Sequence, residues 1–240
     1  MSTRLDNRIA LVTGASRGIG AAIARTLAAN GASLVLTARS KDRLIQVRDE
    51  IVAAGGQAVV LPADLAQEDE IQRVFGSLQR LDILVNCAGI GVFGPLAEAT
   101  SADWDRVMTI NVRTPFLCCR EALRLMVPQH SGTIINIASV VAVKGYVNQG
   151  IYSASKHALL GMTKVLAQEV LPAGVRVQIV CPGGVDTGMA SQARPDLDRS
   201  GLIRPEEVAE VVLMLAAQRG NAVIDQVNIR RAGGTPWFSE

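Results

Sequence analysis

The feature that most constrains this chain is an apolar run, IALVT at positions 9–13, that passes without a spacer into GASRGIG at 14–20 and then into apolar residues at helical spacing. A run this apolar suits a strand buried on both faces, as in a parallel sheet. Glycines at Gly14, Gly18 and Gly20 let the backbone turn tightly and open a helix whose first amides and dipole face the turn. Strand, glycine turn and helix in this order read as the start of a β-α-β unit, and such a turn is suited to an anion such as a pyrophosphate.

The same alternation continues along the chain. Runs rich in Val and Ile predict strands at 9–13, 33–37, 58–61, 83–86, 133–137, 176–180 and 223–229, and apolar residues at helical spacing predict helices at 19–30, 42–54, 68–78, 152–170 and 206–217. Gly31 and Gly55-Gly56 follow the first two helices and Pro205 opens the last, as helix ends require. With no repeat and no Pro-, Ser- or Gly-rich linker, residues 1–240 read as a single α/β domain. The expected architecture is a doubly wound, Rossmann-type parallel sheet of about seven strands flanked by helices, with its ligand beyond the carboxyl ends of the strands.

Composition narrows the function further. The chain is 49% hydrophobic and 19% charged, enough to bury a sizeable core. Its 24 Lys+Arg against 22 Asp+Glu leave +2, with no basic stripe of the kind a nucleic-acid backbone selects. No segment reaches the roughly 18 apolar residues of a membrane span and the first residues lack the pattern of a leader, so a cytoplasmic location is expected. Cys87, Cys118, Cys119 and Cys181 have no C-x-x-C pairing and only two histidines accompany them, so neither a metal site nor a disulfide framework is expected.

At the end of the second strand, where a dinucleotide-binding unit for NAD carries Asp or Glu for the ribose 2′-hydroxyl, the chain reads Thr37, Ala38, Arg39. Arg39 and Arg17 could bracket a 2′-phosphate through charge-assisted bonds, which implies NADP(H); two solvated surface arginines are the plainer alternative. Farther on, Tyr152 and Lys156 in YSASK stand four apart, on one face of a helix. A free tyrosine titrates near pH 10, and a lysine ammonium together with a nicotinamide cation could bring it about 3 units toward neutrality for acid–base work. By itself, a pair at this spacing is more often a chance surface pair.

Taken together, TGASRGIG, Asp64 after the third strand, NCAG at 86–89, Asn111, Ser139, Tyr152 with Lys156, and PGGVDT at 182–187 resemble the short-chain dehydrogenase/reductase family in its compact form, over nearly the whole chain. The resemblance implies an oxidoreductase that reduces a carbonyl, or oxidises the matching alcohol, with a hydride from NADP(H). It implies Tyr152 as acid/base, Lys156 on the nicotinamide ribose and lowering the Tyr152 pKa, Ser139 on the substrate oxygen, and Asn111 distorting its helix and holding a water that links Lys156 to solvent. Cofactor contacts are implied at Gly14, Ser16, Arg17, Gly18, Ile19, Gly20, Arg39, Asp64, Leu65, Asn86, Ala88, Gly89, Pro182, Gly183, Val185 and Thr187, besides Tyr152 and Lys156. For Asp64 a helix-capping role, and for Asn111 an ordinary helix-end role, are the alternatives.

Two departures stand out. Cys87 replaces the family's usual second asparagine, and the tail, NAVIDQVNIRRAGGTPWF at 221–238, differs from the endings common among acyl-carrier-protein ketoreductases. The leading reading is therefore a reductase of small or medium ketones, with 3-oxoacyl thioesters or a non-catalytic NADP(H) sensor as alternatives. Substrate choice is expected in residues 140–147 and 188–204. Relatives pair the helix at 113–126 and the one at 152–170 between subunits, so a homotetramer or dimer is expected, with Phe116, Leu117, Leu123, Leu159, Leu160 and Leu166 exceeding one core-facing stripe. Trp237 and Phe238 are expected to dock on a neighbouring subunit or to wall a substrate pocket.

Overall fold

The structure, a computed structural model, describes residues 4–193 and 198–235. Seven strands form one sheet in the order β3-β2-β1-β4-β5-β6-β7, every neighbouring pair parallel. They are β1 Ile9–Thr13, β2 Ser33–Thr37, β3 Gln57–Val60, β4 Ile83–Asn86, β5 Gly132–Ile137, β6 Val175–Pro182 and β7 Gln226–Ile229. The helices are α1 Gly18–Ala29, α2 Lys41–Ala53, α3 Glu68–Gly76, α4 Ser101–Met108, α5 Thr114–Met126, α6 Gly150–Glu169, α7 Gly188–Ala193 and α8 Pro205–Ala216. The order reverses between β1 and β4, and this is where the strand ends part to leave a crevice.

Successive strand side chains point to opposite faces, and here both faces are covered. Ala10 and Val12 of β1 join one core with Ile23 and Leu27 of α1 and Val208 and Val212 of α8. Leu11, between them, joins the other, with Val74 and Phe75 of α3 and Leu117 and Met126 of α5. Leu159 and Leu160 of α6 rest on Ile179 and Cys181 of β6 in a third, smaller cluster. Among the described residues no helix is long and apolar enough to cross a membrane.

The expected strands and helices recur within a residue or two, with four differences. The ladder with β2 opens at Gln57, so β3 is Gln57–Val60 and not 58–61. The last strand begins at Gln226 and not at 223, because its ladder with β6 opens only at the Ile179–Gln226 pair. Helix α4, which the apolar spacing did not predict, is capped by Thr100, whose Oγ1 accepts from Asp103 N at 3.1 Å. Of the six apolar residues assigned to an excess on α5 and α6, Leu117, Leu159 and Leu160 are buried within the subunit, Leu123 and Leu166 are half-buried, and Phe116 alone is exposed. Trp237, Phe238 and, in the 188–204 segment, residues 194–197 lie outside the described residues.

A chain of buried polar groups stitches the middle of the sheet to α6. Asn86 Nδ2 donates to Asn136 Oδ1 at 2.9 Å, Asn136 Nδ2 donates to Thr163 Oγ1 at 2.9 Å, and Thr163 Oγ1 donates to Leu159 O at 2.7 Å. An Asn136→Ala substitution leaves the Asn86 amide with only the weak acceptor Cys119 Sγ, 3.4 Å away, in a dry interior, which costs about 1–3 kcal/mol. Urea unfolding should show a loss of that size with an unchanged slope; no loss would mean that water replaces the asparagine freely.

Candidate active site

The glycine turn is shaped by backbone contact. Gly14 has φ +67°, and a Cβ there would lie 2.8 Å from Ala88 Cα; a Cβ on Gly20 would overlap the Gly14 carbonyl. The ends of β1 and β4 are thus as close as two backbones can come. Thr13, buried at the end of β1, locks the approach: its Oγ1 accepts from Cys87 N at 3.0 Å and Ala88 N at 3.1 Å. Helix α1 then begins with Arg17 as N-cap, no side chain closes its first amides, and its first turn holds no acidic residue. Such a terminus is open to an anion.

Around this cradle stand the other expected cofactor residues. Ser16 and Ile19 flank the exposed Arg17, and Arg39 is exposed just beyond buried Ala38. Among the described residues neither Arg17 nor Arg39 has a carboxylate partner. Asp64 is exposed and accepts from Ala66 N at 3.2 Å within a turn; it does not cap α3, whose N-cap is Gln67. Leu65 is buried. The Asn86 side chain points into the sheet, so only its backbone faces the crevice side of β4. Gly89 leaves room for Asn111 and Lys156, whose Oδ1 and Nζ would be 3.4 and 3.7 Å from a Cβ placed there.

The segment after β6 closes over the glycine turn. Gly183 N donates to Ile229 O at 2.7 Å, and Ile203 N donates to Gly184 O at 3.0 Å. Val185 is buried beside Ile203, and Thr187 Cγ2 would be 3.3 Å from a Cβ on Gly18. Pro182 and Thr187 thereby bracket a segment that shares its space with the start of α1.

Tyr152 and Lys156 lie on the buried face of α6. Lys156 Nζ donates to Ile137 O at 3.0 Å and stands 5.7 Å from the centre of the Tyr152 ring. Ser139 stands two residues beyond β5 and opens a short turn over Val140–Ala142, its Oγ accepting from Val141 N at 3.4 Å and facing the Tyr152 hydroxyl closely enough to lower its pKa. Asn111 sits in a π-helical turn, Thr109–Arg113, between α4 and α5. Fully buried, it accepts from Ile90 N at 2.9 Å and donates to Ile90 O at 2.8 Å and Ser155 Oγ at 3.0 Å. Ser155 Oγ in turn donates to Tyr152 O at 2.7 Å. The widened turn is therefore held open by bonds that reach the catalytic helix, as π-turns at functional sites often are.

Two residues here escaped the sequence reading, Thr13 and Ser155. Their cue was position alone, a small hydroxyl ending the strand before the glycines and one inside YSASK. Phe93 was also missed; its ring meets Tyr152 edge-on, with centroids 5.7 Å apart. Leu96, Tyr146 and Val147 are exposed, giving the region an apolar rim.

In the chain by itself, without the nicotinamide cation that the expected lowering of Tyr152 invoked, burial dominates the electrostatics. Burial pushes Tyr152 up to about 12, and the hydrogen bond with Ser139 draws it back only in part. Lys156, drained of solvent, falls to about 8. Desolvation opposes charge on both groups, so the protein alone holds the tyrosine as a neutral acid and leaves its lysine poised near neutrality. Burial also pushes Cys87 up to about 12, which makes it a neutral, inert neighbour.

A doubly wound sheet with a glycine cradle at its switch point, and a half-buried Ser with a buried Tyr and Lys beside it, defines a dinucleotide-dependent oxidoreductase. The sequence profile of the short chain dehydrogenases matches residues 8–198, and the chain belongs to that family. It is 39% identical to a 3-oxoacyl-[acyl-carrier-protein] reductase of Synechocystis sp., over 98% of this chain and all of that one. Among solved structures it resembles a dehydrogenase/reductase of Sinorhizobium meliloti (40% identity, TM-score 0.86, covering 95% of this chain and 96% of that chain). It also resembles a metagenomic short-chain oxidoreductase in complex with NADP (39% identity, TM-score 0.83, covering 95% and 98%).

The Lys156 shift carries a sign. Below about pH 8 the ammonium is charged and can hold ribose hydroxyls; as pH rises through that value the charge is lost, while Tyr152 remains protonated to about 12. Because kcat/KM reports the free enzyme, its value for NADPH should fall on the alkaline side with a midpoint near 8. A profile flat to pH 10 would show that Lys156 is not the titrating group.

Proposed function

We propose that this chain is an NADPH-dependent carbonyl reductase, acting on small or medium ketones in a reversible reaction. The observation that carries it is the convergence of Ser139, Tyr152 and Lys156 beside a cradle flanked by two arginines without carboxylate partners. The residues fit the cofactor: backbone contacts leave no room for a Cβ at Gly14 or Gly20, the α1 terminus is open, and no carboxylate occupies position 38.

NADPH, when bound, supplies the hydride. The protein positions the carbonyl and handles charge and proton. Ser139 donates a hydrogen bond to the carbonyl oxygen, and Tyr152 gives that oxygen its proton as negative charge develops there. Lys156 holds the ribose hydroxyls and, through Asn111 and a water beside it, reconnects to solvent. Asn111, Ser139, Tyr152 and Lys156 form the catalytic set. Gly14, Ser16, Arg17, Gly18, Ile19 and Gly20 hold the pyrophosphate; Arg39 with Arg17 takes the 2′-phosphate; Asp64 and Leu65 meet the adenine. Asn86, Ala88 and Gly89 back the ribose, and Pro182, Gly183, Val185 and Thr187 the nicotinamide. An exposed apolar rim of Leu96, Tyr146 and Val147, with Phe93 against the tyrosine, favours ketones flanked by carbon chains or rings. Reduction of 3-oxoacyl thioesters is the second reading, favoured by the end-to-end similarity to the Synechocystis reductase.

The chain acts as one catalytic domain in the cytoplasm, a location supported by four cysteines that are all unpaired. It assembles as a homotetramer or dimer through α5 and α6, where Phe116, Val127 and Val165 are exposed. Light scattering should exceed the 25.4 kDa of one chain at micromolar concentration; a monomer would refute the assembly.

NADPH oxidation measured against a panel of ketones and 3-oxoacyl thioesters tests the reading. Tyr152→Phe should lose more than nine-tenths of turnover and still bind NADPH, since its ring packs but carries no proton. Arg39→Ala should weaken NADPH by roughly ten- to a hundredfold and leave NADH nearly unchanged, as one charged bond dictates. Equal efficiency with both cofactors in the unmodified chain would refute the 2′-phosphate assignment, and no turnover with any substrate would refute the enzyme.

A further inference from the structure

The N-terminal ends of the strands carry a second concentration of charge, at the edge of the sheet opposite the glycine cradle. A cavity of about 210 Å³ opens there, lined among others by Arg8, Arg176, Arg219, Ser131, Thr133 and Asp82. Asp82 is buried and already committed. Its Oδ1 accepts from Arg8 at 3.1 Å and Arg80 at 2.8 Å, and its Oδ2 accepts from Ile9 N at 2.9 Å. One carboxylate thus serves two guanidiniums.

Among the described residues neither Arg176 nor Arg219 forms an ion pair with a carboxylate, although Asp82 attracts Arg219 from farther off. Arg176 donates to Gln218 O and Gly220 O, each at 2.7 Å, and Arg219 donates to Ala216 O and Gln218 O, each at 3.0 Å. These are the carbonyl of the last residue of α8 and two from the segment just after it. They hold the two side chains in place without neutralising them, and a guanidinium has five N–H donors, so each keeps some to spare. The charges feel one another: Arg219 is drawn below the usual guanidinium value by burial first, then by Arg8 and Arg176. Cations gathered around a cavity without enough counter-charge repel one another, which disfavours the folded chain until an anion joins them.

We propose that this cavity is a binding site for a phosphoryl group, either inorganic phosphate or the head of a small phosphomonoester. The three arginines supply the charge and Ser131 and Thr133 supply hydroxyl donors. A phosphoryl group carries close to two negative charges and three or more acceptor oxygens, which matches three guanidiniums against one aspartate. The volume is below the roughly 300 Å³ at which sites for drug-sized ligands begin, so only a short organic portion fits beside the phosphoryl. The site is separate from the catalytic one, because its lining belongs to strand beginnings and the catalytic residues to strand ends, roughly 17 Å away along a five-residue strand.

The test is thermal unfolding of the NADPH-saturated protein while inorganic phosphate or glycerol phosphate is added, with chloride holding ionic strength constant. A saturable rise in Tm is expected, and Arg219→Gln and Arg176→Gln should each raise the half-saturating concentration at least about tenfold. Arg219 is exposed and holds only nearby carbonyls, so its substitution leaves the fold intact; Arg25→Gln, on a distant surface, should change nothing. A response to phosphate alone identifies the free ion as ligand, and a stronger response to glycerol phosphate identifies a phosphomonoester. No saturable rise with either probe overturns the proposal. So does a rise that survives both substitutions, or one abolished by Arg39→Ala, which would place the anion in the nucleotide site instead.

Discussion

Where β1 and β4 part, two backbones approach so closely that only glycine fits at position 14, and the Thr13 hydroxyl accepts two amides from the facing strand end. Much else follows from this contact. It sets the turn that opens α1, and it sets the path of residues 87–89, over which Lys156 and Asn111 lie. The nucleotide cradle and the catalytic face of α6 are consequently referenced to one point. A shift of either strand end would displace both, and the all-parallel sheet, buried on its two faces, resists such a shift.

The groups proposed as catalytic show what burial does when it is not yet compensated. Tyr152 stays neutral and Lys156 is brought near its titration point, both by the same loss of solvent. In the mechanism proposed above the neutral tyrosine is the form that gives a proton to a carbonyl, and a tyrosinate is the form that accepts one from an alcohol. A cation brought into the same dry space would favour the tyrosinate.

Much of this was legible in the sequence, for reasons that differ from element to element. Strands β1, β2 and β4 are continuous apolar runs bounded by polar or glycine residues, and they lie where the pattern placed them. Helix α4 was invisible to apolar spacing because Val107 is its only buried residue; its signal is the Thr100–Asp103 cap. The start of β7 could not be read because Val223 and Ile224 have the composition of a strand, and only the partner ladder decides where pairing begins. In the site, the long-lever residues Tyr152, Lys156 and Asn111 were recognisable as an ensemble. Thr13 and Ser155 were not, since a small hydroxyl acquires its meaning from amides and side chains far away in the chain. The opposite tuning of Tyr152 was equally hidden, because spacing reports who is near but not how much water remains.

The bond from Gly183 to Ile229 ties the segment that closes the cradle to the last strand of the sheet. Among the described residues that strand pairs on one side only, with β6. The cover over one end of the crevice is thus fastened to the edge of the sheet, while the glycine turn is fixed at its centre by the contact of β1 with the end of β4. An edge ladder has one neighbour to lose where a central one has two, so the two halves of the crevice rest on supports of unequal strength.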